Sequence, residues 1–231
     1  MKTNAASRFM IALALEFSSS QRSVAALDLP HPPAAEPAQV LSCAQERAPR
    51  AAGPLALVQR ALAEAKLDRG AVECIVVGLG PGSYTGIRGA IAIAQGWQLA
   101  CDVKLLGVSS VEALAWQAQK LGMRGTIHIA IDAQRHEFYL ADYRIAGGVC
   151  ERTAPVRLTT ASELREIAAQ DGHVVGLGLT RWFPNAVDLE PMADAVGLLA
   201  AGRGDFLAGE KLEPIYLREI TFVKSSPPRA K

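Results

Sequence analysis

Apolar residues fall in short blocks along the chain, and the spacing inside the blocks switches repeatedly between strand-like and helix-like. Phe9 to Leu15 and Ser23 to Leu29 are runs of strand length on either side of the polar stretch SSSQR, which predicts a hairpin. PHPPAAEPA, starting at Pro30, carries four prolines in nine residues and predicts a loop. Val40 to Ala44 predicts a third strand at a sheet edge. GPLALVQRALAEAKL is amphipathic, with Leu55, Val58, Leu62 and Ala65 on one face. AVECIVVGL is a β-branched apolar run of the kind a buried parallel strand needs.

A glycine-rich loop follows, and then a helix predicted from about Gly86 to Cys101. VKLLGV predicts a short strand, and Ser109 or Ser110 can cap a helix through VEALAWQAQKLG. TIHIAID and EFYLADYRI predict a strand pair around the turn AQRH. Thr160 and Glu163 have capping-box spacing and open a helix to Ala169. HVVGLGL predicts a last strand, PMADAVGLLAAG a last helix, and VKSSPPRAK a disordered end. A hairpin followed by alternating strand and helix, then the same theme again, predicts an α/β chain of two related lobes. The boundary falls near Gly107 to Ser110.

Composition adds little beyond this. Half of the 231 residues are hydrophobic and the net charge is +1, which excludes a strong overall field for nucleic acid. The aromatic residues are scattered rather than interleaved with a basic stripe, so a stand-alone RNA-binding module is not indicated. Lys224, Arg229 and Lys231 offer only a weak phosphate contact. Four widely spaced cysteines without a CxxC predict reduced thiols in a cytoplasmic protein. Cys74 and Cys101, in apolar runs, are expected to be buried. The apolar run after Lys2 and Arg8 ends at Glu16, too soon for a secretion signal. No stretch reaches the roughly 20 apolar residues of a membrane span.

The loop GLGPGSYTGIRG invites a phosphate reading but has neither phosphate motif. Gly78, Gly80 and Gly82 give G-x-G-x-G, with Ser83 where a dinucleotide fingerprint has its third glycine, and Ile87 rather than lysine follows Gly86. A tight turn capped by Ser83 or Thr85 accounts for the pattern. In the helix beyond it, Ile87, Ala90, Ile91, Ala94 and Trp97 form a broad apolar arc. Gly89, Ile93, Gly96 and Ala100 form an adjoining stripe of mostly small residues, and only the strip near Arg88 and Gln95 is polar. Such a helix is covered on more than one side, and the small residues allow another helix to approach near the short end of the usual range of about 8–10 Å. The cover can be the preceding helix, a second copy or a different protein.

GLGPGSYTGIRGAIAIAQGWQLA resembles the GxGPGSFTGxRxGxxxAxGLA signature of the bacterial dimerization subunit (TsaB/YeaZ-like) of tRNA threonylcarbamoyladenosine synthesis. MIALALEFSSSQRSVAAL resembles the family's opening strand, turn and strand, IAIDAQRHEFYLADY its AIDARxxEVYxAxY segment, and LEPIYLR its terminal P-x-YLR. The similarity covers nearly the whole chain. It implies an actin-like, sugar-kinase-like (ASKHA) fold of two ribonuclease-H-type lobes, here 8–108 and 109–217, with a partly disordered tail at 218–231. It also implies a non-catalytic, cytoplasmic subunit that supports threonylcarbamoyl transfer to the tRNA adenosine beside the anticodon by pairing with its transferase paralogue (TsaD-like).

The complex ATPase (TsaE-like) is a further implied partner, and the same helix face can form a homodimer. ATP and Mg²⁺ belong to the assembled complex and tRNA is met only there; no metal site and no membrane contact are expected of this chain. The implied interface comprises Gly82, Ser83, Tyr84, Thr85, Gly86, Arg88, Gly89, Ile93, Gly96 and Ala100. Glu16 and Ser18 are the candidate nucleotide-binding positions. The chain departs from the family at Glu16-Phe17, where aspartate and a small hydroxyl residue are usual, and at APRAAGP, which lacks a histidine. The competing reading is an independent ATP-binding or metal-dependent, peptidase-like enzyme. A zinc peptidase needs histidines paired on a helix, and His31, His128, His136 and His173 have no such spacing. Asp132 and Glu137, flanking a turn, suggest an acid–base pair but read better as solvated turn carboxylates.

Overall fold

In the computed structural model, which describes residues 9–30, 37–47, 53–170 and 173–217, the first apolar runs pair across their polar turn. Strands β1 (Phe9–Glu16) and β2 (Gln21–Pro30) are antiparallel, and β3 (Gln39–Arg47) joins β2 as an antiparallel edge. β4 (Cys74–Gly78) and β5 (Lys104–Val108) extend the other side in parallel, giving the order β3-β2-β1-β4-β5. Every residue of β4 is buried, as a strand covered on both faces requires.

Helices α1 (Pro54–Glu64) and α2 (Tyr84–Cys101) cover one face of this sheet. The buried side of α1 is Leu57, Val58, Ala61 and Leu62. That face is rotated toward Leu57 and Ala61 from the arc that periodicity suggests, which leaves Leu55 at its edge and 64% exposed. Cys74 is buried as expected, whereas Cys101 is exposed, because it is the last residue of α2.

The second sheet repeats the theme. β6 (Gly125–Asp132) and β7 (Glu137–Ala146) are antiparallel, and β10 (His173–Gly176) and β11 (Val187–Asp188) add in parallel beyond β6. Two short strands, β8 (Val149–Arg152) and β9 (Arg157–Thr160), both pair with β7. Helix α3 (Ser110–Lys120) packs on one face of this sheet and α4 (Ala161–Gln170) on the other. In α4, Glu163 N–H donates to Thr160 Oγ1 at 3.2 Å, the first half of the capping box. A hairpin whose first strand also pairs in parallel on its far side, occurring twice, is the ribonuclease-H-type lobe of an actin-like, sugar-kinase-like fold.

Helix α5 (Ala193–Leu199) then returns to the first sheet, packing Ala193, Ala195 and Val196 against its second face with Val76 and Leu106. The chain continues along that sheet. Leu207 N–H donates to Leu105 O (2.9 Å), Leu212 is buried in the core under α1 and α2, and Ile215 N–H donates to Leu79 O (2.8 Å). This returning segment, although it follows residue 109, thus packs on the first sheet. Its attachment is a tertiary event that strand and helix periods do not encode.

Residues 31–36 of the proline-rich stretch, 48–52 of APRAAGP and the tail from 218, with Lys224, Arg229 and Lys231, lie outside the described residues, as do His31 and the first eight positions. Among the described residues no helix is long and apolar enough to cross a membrane.

Candidate functional site

The glycine loop launches α2. Ser83 is its N-cap: Ser83 Oγ accepts from Gly86 N–H at 3.3 Å, and Ser83 N–H donates to Ser18 O at 2.7 Å. The second bond ties the loop to the end of the first strand. Gly86 faces inward, with its Cα against the Phe17 carbonyl, and leaves no room for a side chain. Ser83, Tyr84, Thr85 and Arg88 are exposed.

Beyond the first turn, α2 separates into two sides. Ile87, Ala90, Ile91 and Ala94 are buried on the sheet. Gly89, Ile93, Gly96 and Ala100 line an apolar groove of about 730 Å³ whose opposite wall is Pro54, Leu55 and Val58 of α1. A methyl group built on Gly89 or Gly96 meets no atom within 4 Å. The preceding helix thus borders the small-residue stripe without covering it. Gln95, read as part of a polar strip, has a structural task. Gln95 Nε2 donates to Gly209 O (2.8 Å) and Gln98 Oε1 accepts from Gly209 N–H (2.9 Å), which fastens the returning segment to α2.

A second cavity, about 690 Å³, opens between the two sheets. Ser18, Gly82, Ser83 and Tyr84 line it from one side, Asp132, Gln134 and Arg181 from the other, and Tyr216 at its edge. Tyr84 and Tyr216 meet edge-on with ring centroids 5.6 Å apart. The implied interface residues are therefore split: Gly82, Ser83 and Tyr84 lie on this cleft, Gly86 is internal, and Gly89, Ile93, Gly96 and Ala100 lie on the groove. Gln134, Arg135 and His136 follow one another in the left-handed region, with φ of 65°, 58° and 62°. Three such residues in succession are uncommon without glycine.

Glu16 does not reach the cleft. It is fully buried, with Oε1 accepting from Ser18 N–H (2.6 Å) and Oε2 from the Ser110 hydroxyl (2.7 Å). Ser110 in turn accepts from Gly80 N–H (3.1 Å), and its own N–H donates to Gly80 O (2.8 Å). The bare Cα of Gly78 makes room for this carboxyl. Of the two candidate nucleotide positions, only Ser18 faces the cleft. Its sole lining carboxylate among the described residues, Asp132, accepts from Gln134 N–H (2.7 Å) and pairs with Arg181 (2.8 Å). A magnesium-bound nucleotide wants a free carboxylate, so these residues do not fit one.

Burial pushes the Glu16 carboxyl above its ordinary 4.5, against hydrogen bonds from Ser18 and Ser110 that pull it down. The folded chain then holds this proton more tightly than the unfolded chain, so the Glu16 contribution to stability falls as pH rises above the ordinary carboxyl range. Glu16→Gln keeps both contacts, since the amide nitrogen can donate to Ser110 Oγ. Its stability relative to the parent is expected to rise between about pH 4 and about pH 7.5. Urea midpoints of both proteins at the two pH values check this, and a flat or falling difference would show that Glu16 is held ionised.

The described histidines do not converge. His128 Nδ1 lies 2.7 Å from Asp142 Oδ1, His136 packs edge-on against Trp182, and His173 opens β10. Among the described residues no group of three or more His, Cys, Asp or Glu side chains could hold a metal ion.

The family profile described as TsaD, tRNA N6-adenosine threonylcarbamoyltransferase, matches residues 54–177. The chain belongs to this TsaD-type family. Within it the chain is TsaB/YeaZ-like. It is 28% identical to the Escherichia coli tRNA threonylcarbamoyladenosine biosynthesis protein TsaB over 194 residues, 75% of this chain and 82% of that protein. The solved structure of YeaZ from Pseudomonas aeruginosa is 29% identical, with a TM-score of 0.71 over 90% of this chain and 100% of that one. A further solved structure, described as an uncharacterized protein with similarity to peptidase YeaZ from Pseudomonas aeruginosa, is 28% identical at a TM-score of 0.73, over the same shares of both chains. The TsaD-type match runs from α1 to β10 and so includes both walls of the groove and the capped loop.

Sequence reasoning found the TsaB/YeaZ-like loop and stripe but missed two features. Leu55, which the periodicity places on the apolar face of α1 with Val58, is a groove wall in its first turn beside Pro54. The Tyr84–Tyr216 contact had no local signal, because the two residues are far apart in the chain.

Proposed function

We propose that this chain is the non-catalytic partner subunit for threonylcarbamoyl transfer to the tRNA adenosine beside the anticodon, and that it docks its TsaD-type transferase paralogue in the α1/α2 groove. The observation that carries this reading is the stripe Gly89, Ile93, Gly96 and Ala100, small and apolar yet left uncovered by the chain's own elements. Small residues on a helix serve close helix–helix approach, so a helix of the related subunit is the expected occupant. The name of the E. coli relative supports the pathway. The non-catalytic reading is supported by the inward-turned Glu16, the Asp132–Arg181 pair and the dispersed histidines.

On this reading the first lobe comprises 8–108 and the returning segment from α5 onward, and the rest of 109–217 forms the second lobe. The interface is the stripe Gly89, Ile93, Gly96 and Ala100 with the exposed Thr85 and Arg88, whereas the buried Gly86 seats α2 on β1 and Gly82, Ser83 and Tyr84 line the cleft. The complex ATPase (TsaE-like) binds the assembled pair in the cytoplasm, and a homodimer uses the same groove. The test is co-purification with the TsaD-type subunit of the same genome, followed by a tRNA modification assay. Modified adenosine is expected only when both subunits are present, and added transferase is expected to dissolve any homodimer. Transfer by this chain alone, or metal-dependent peptide cleavage, would overturn the reading.

A further inference from the structure

The returning segment leaves the first lobe beside the first turn of α2. Ile215 N–H donates to Leu79 O, and the Tyr216 ring meets the ring of Tyr84, the first residue of α2, edge-on. Leu217 is exposed, and the sequence continues REITFVKSSPPRAK from Arg218. Ile220, Phe222 and Val223 fall close together and carry the large apolar side chains of that stretch. Alternation along an extended backbone puts Ile220 and Phe222 on one side.

The α1/α2 groove begins a short way from this exit. Gly89 lies five residues beyond Tyr84, about 7.5 Å along the axis and about 140° around it. On a helix about 10 Å across, that is a path of roughly 14 Å over the surface. The six residues 217–222 span up to about 20 Å when extended, so Phe222 reaches Gly89 with little slack. The place suits a large apolar side chain. Gly89 has open space where a Cβ would stand, and Ile93 one turn on and the largely exposed Leu55 of α1 line the same groove. Charge agrees with the path: Arg88 is exposed on the ridge between Tyr84 and Gly89, and the one carboxylate side chain of the segment, Glu219, falls where the chain would cross it.

We propose that in the free chain residues 219–223 lie back over α2, with Glu219 at Arg88 and Phe222 on Gly89 between Ile93 and Leu55, and cover the groove until the transferase paralogue displaces them. This guarding role rests on the groove being the partner's seat, whereas the docking of the segment does not. Burial of Ile220 and Phe222 is nearly offset by the ordering of five residues, so the covered state outweighs the open one only about three- to tenfold. A short linker gives an effective concentration of about 1 mM, so the same segment offered as a separate peptide binds at about 0.1–0.3 mM. A cover of that strength lowers the apparent affinity of a competitor about four- to elevenfold. That disfavours weak self-association through the groove and is small enough for a tight partner to overcome.

The test compares the full chain with one ending at Leu217, following the backbone amide resonances of Gly89 and Ile93. Both are expected to shift on truncation, and Phe222→Asp in the full chain is expected to reproduce the truncated positions. A synthetic peptide of residues 218–231, added to the truncated chain, is expected to restore them with a Kd of about 0.1–0.3 mM. Truncation is expected to tighten association with the transferase about four- to elevenfold. The docking is overturned if the two amides are the same in both chains, or if the peptide does not bind by about 3 mM. It is also overturned if the difference between the chains vanishes on dilution, which would make a second copy the cover. Shifted resonances with unchanged transferase affinity would overturn the guarding role. If the transferase binds neither chain, the partner role falls and the guarding role with it, while the resonances still decide the docking.

Discussion

Replacing Gly96 with leucine is expected to leave the isolated chain folded, even slightly more stable, while its association with the transferase paralogue weakens about five- to a hundredfold. The two effects have separate causes. Gly96 is exposed in the middle of α2, in helical conformation, and a side chain there meets open space. Exchanging glycine for leucine in such a position gains roughly 0.8–1 kcal/mol of helix propensity. In the complex the same side chain would occupy the space reserved for the partner helix. Overpacking a close contact costs about 1–3 kcal/mol, which at 1.4 kcal/mol per tenfold gives the stated range. Thermal unfolding of the free chain and titration calorimetry with the partner read the two halves independently. An unfolded variant would mean that the stripe is internal packing, and unchanged affinity would place the interface elsewhere.

The second large effect is expected ten residues earlier in the same helix, with the opposite pattern. Gly86→Ala adds one methyl group, yet that methyl is driven into the Phe17 carbonyl oxygen. The neighbour is backbone and cannot turn aside. The loop on the other side is held by the Ser83-to-Ser18 bond, so a shift of α2 would strain that contact as well. A cost of about 3 kcal/mol is expected, at the upper end for overpacking. For a chain of this size it lowers the melting temperature by roughly 6–12 °C. Any loss of partner binding should then follow the loss of folded protein. A variant that melts within a degree or two of the parent would show that the first turn of α2 can move away from β1.

These two glycines mark how far the sequence could be read. Small residues repeating along α2 were visible as a stripe, and the stripe is where the chain leaves its surface uncovered. The first hairpin, the buried β4 and the Ser83 cap were equally legible, since alternation, β-branched runs and capping residues act locally. What failed was set by distance or by brevity. β11 has two residues and β8 and β9 four each, too few for a period to emerge. Glu16 looked like a residue facing a ligand because it ends a strand. Its true direction depends on Gly78 and Ser110, which arrive from other elements. The return of α5 to the first sheet leaves no trace in periodicity, because an amphipathic helix does not specify which sheet receives it.

That return has a consequence for how the protein comes into being. During synthesis, the β1–β5 half leaves the ribosome while Ala193 to Val196, which close its second face, and Leu212, which completes its first, are still to be made. At about 5–20 residues per second, the stretch from Val108 to Leu212 takes roughly 5–20 s to emerge. Throughout that interval Val76 and Leu106 lack their cover, Ser23 Oγ lacks the Ala193 N–H it accepts from, and Gln95 and Gln98 have nothing to hold. The nascent first lobe is therefore expected to expose apolar surface of the kind chaperones bind until the returning segment arrives. A chain cut short before α5 is a substrate for proteolysis, and docking on α2 belongs to the released, full-length protein.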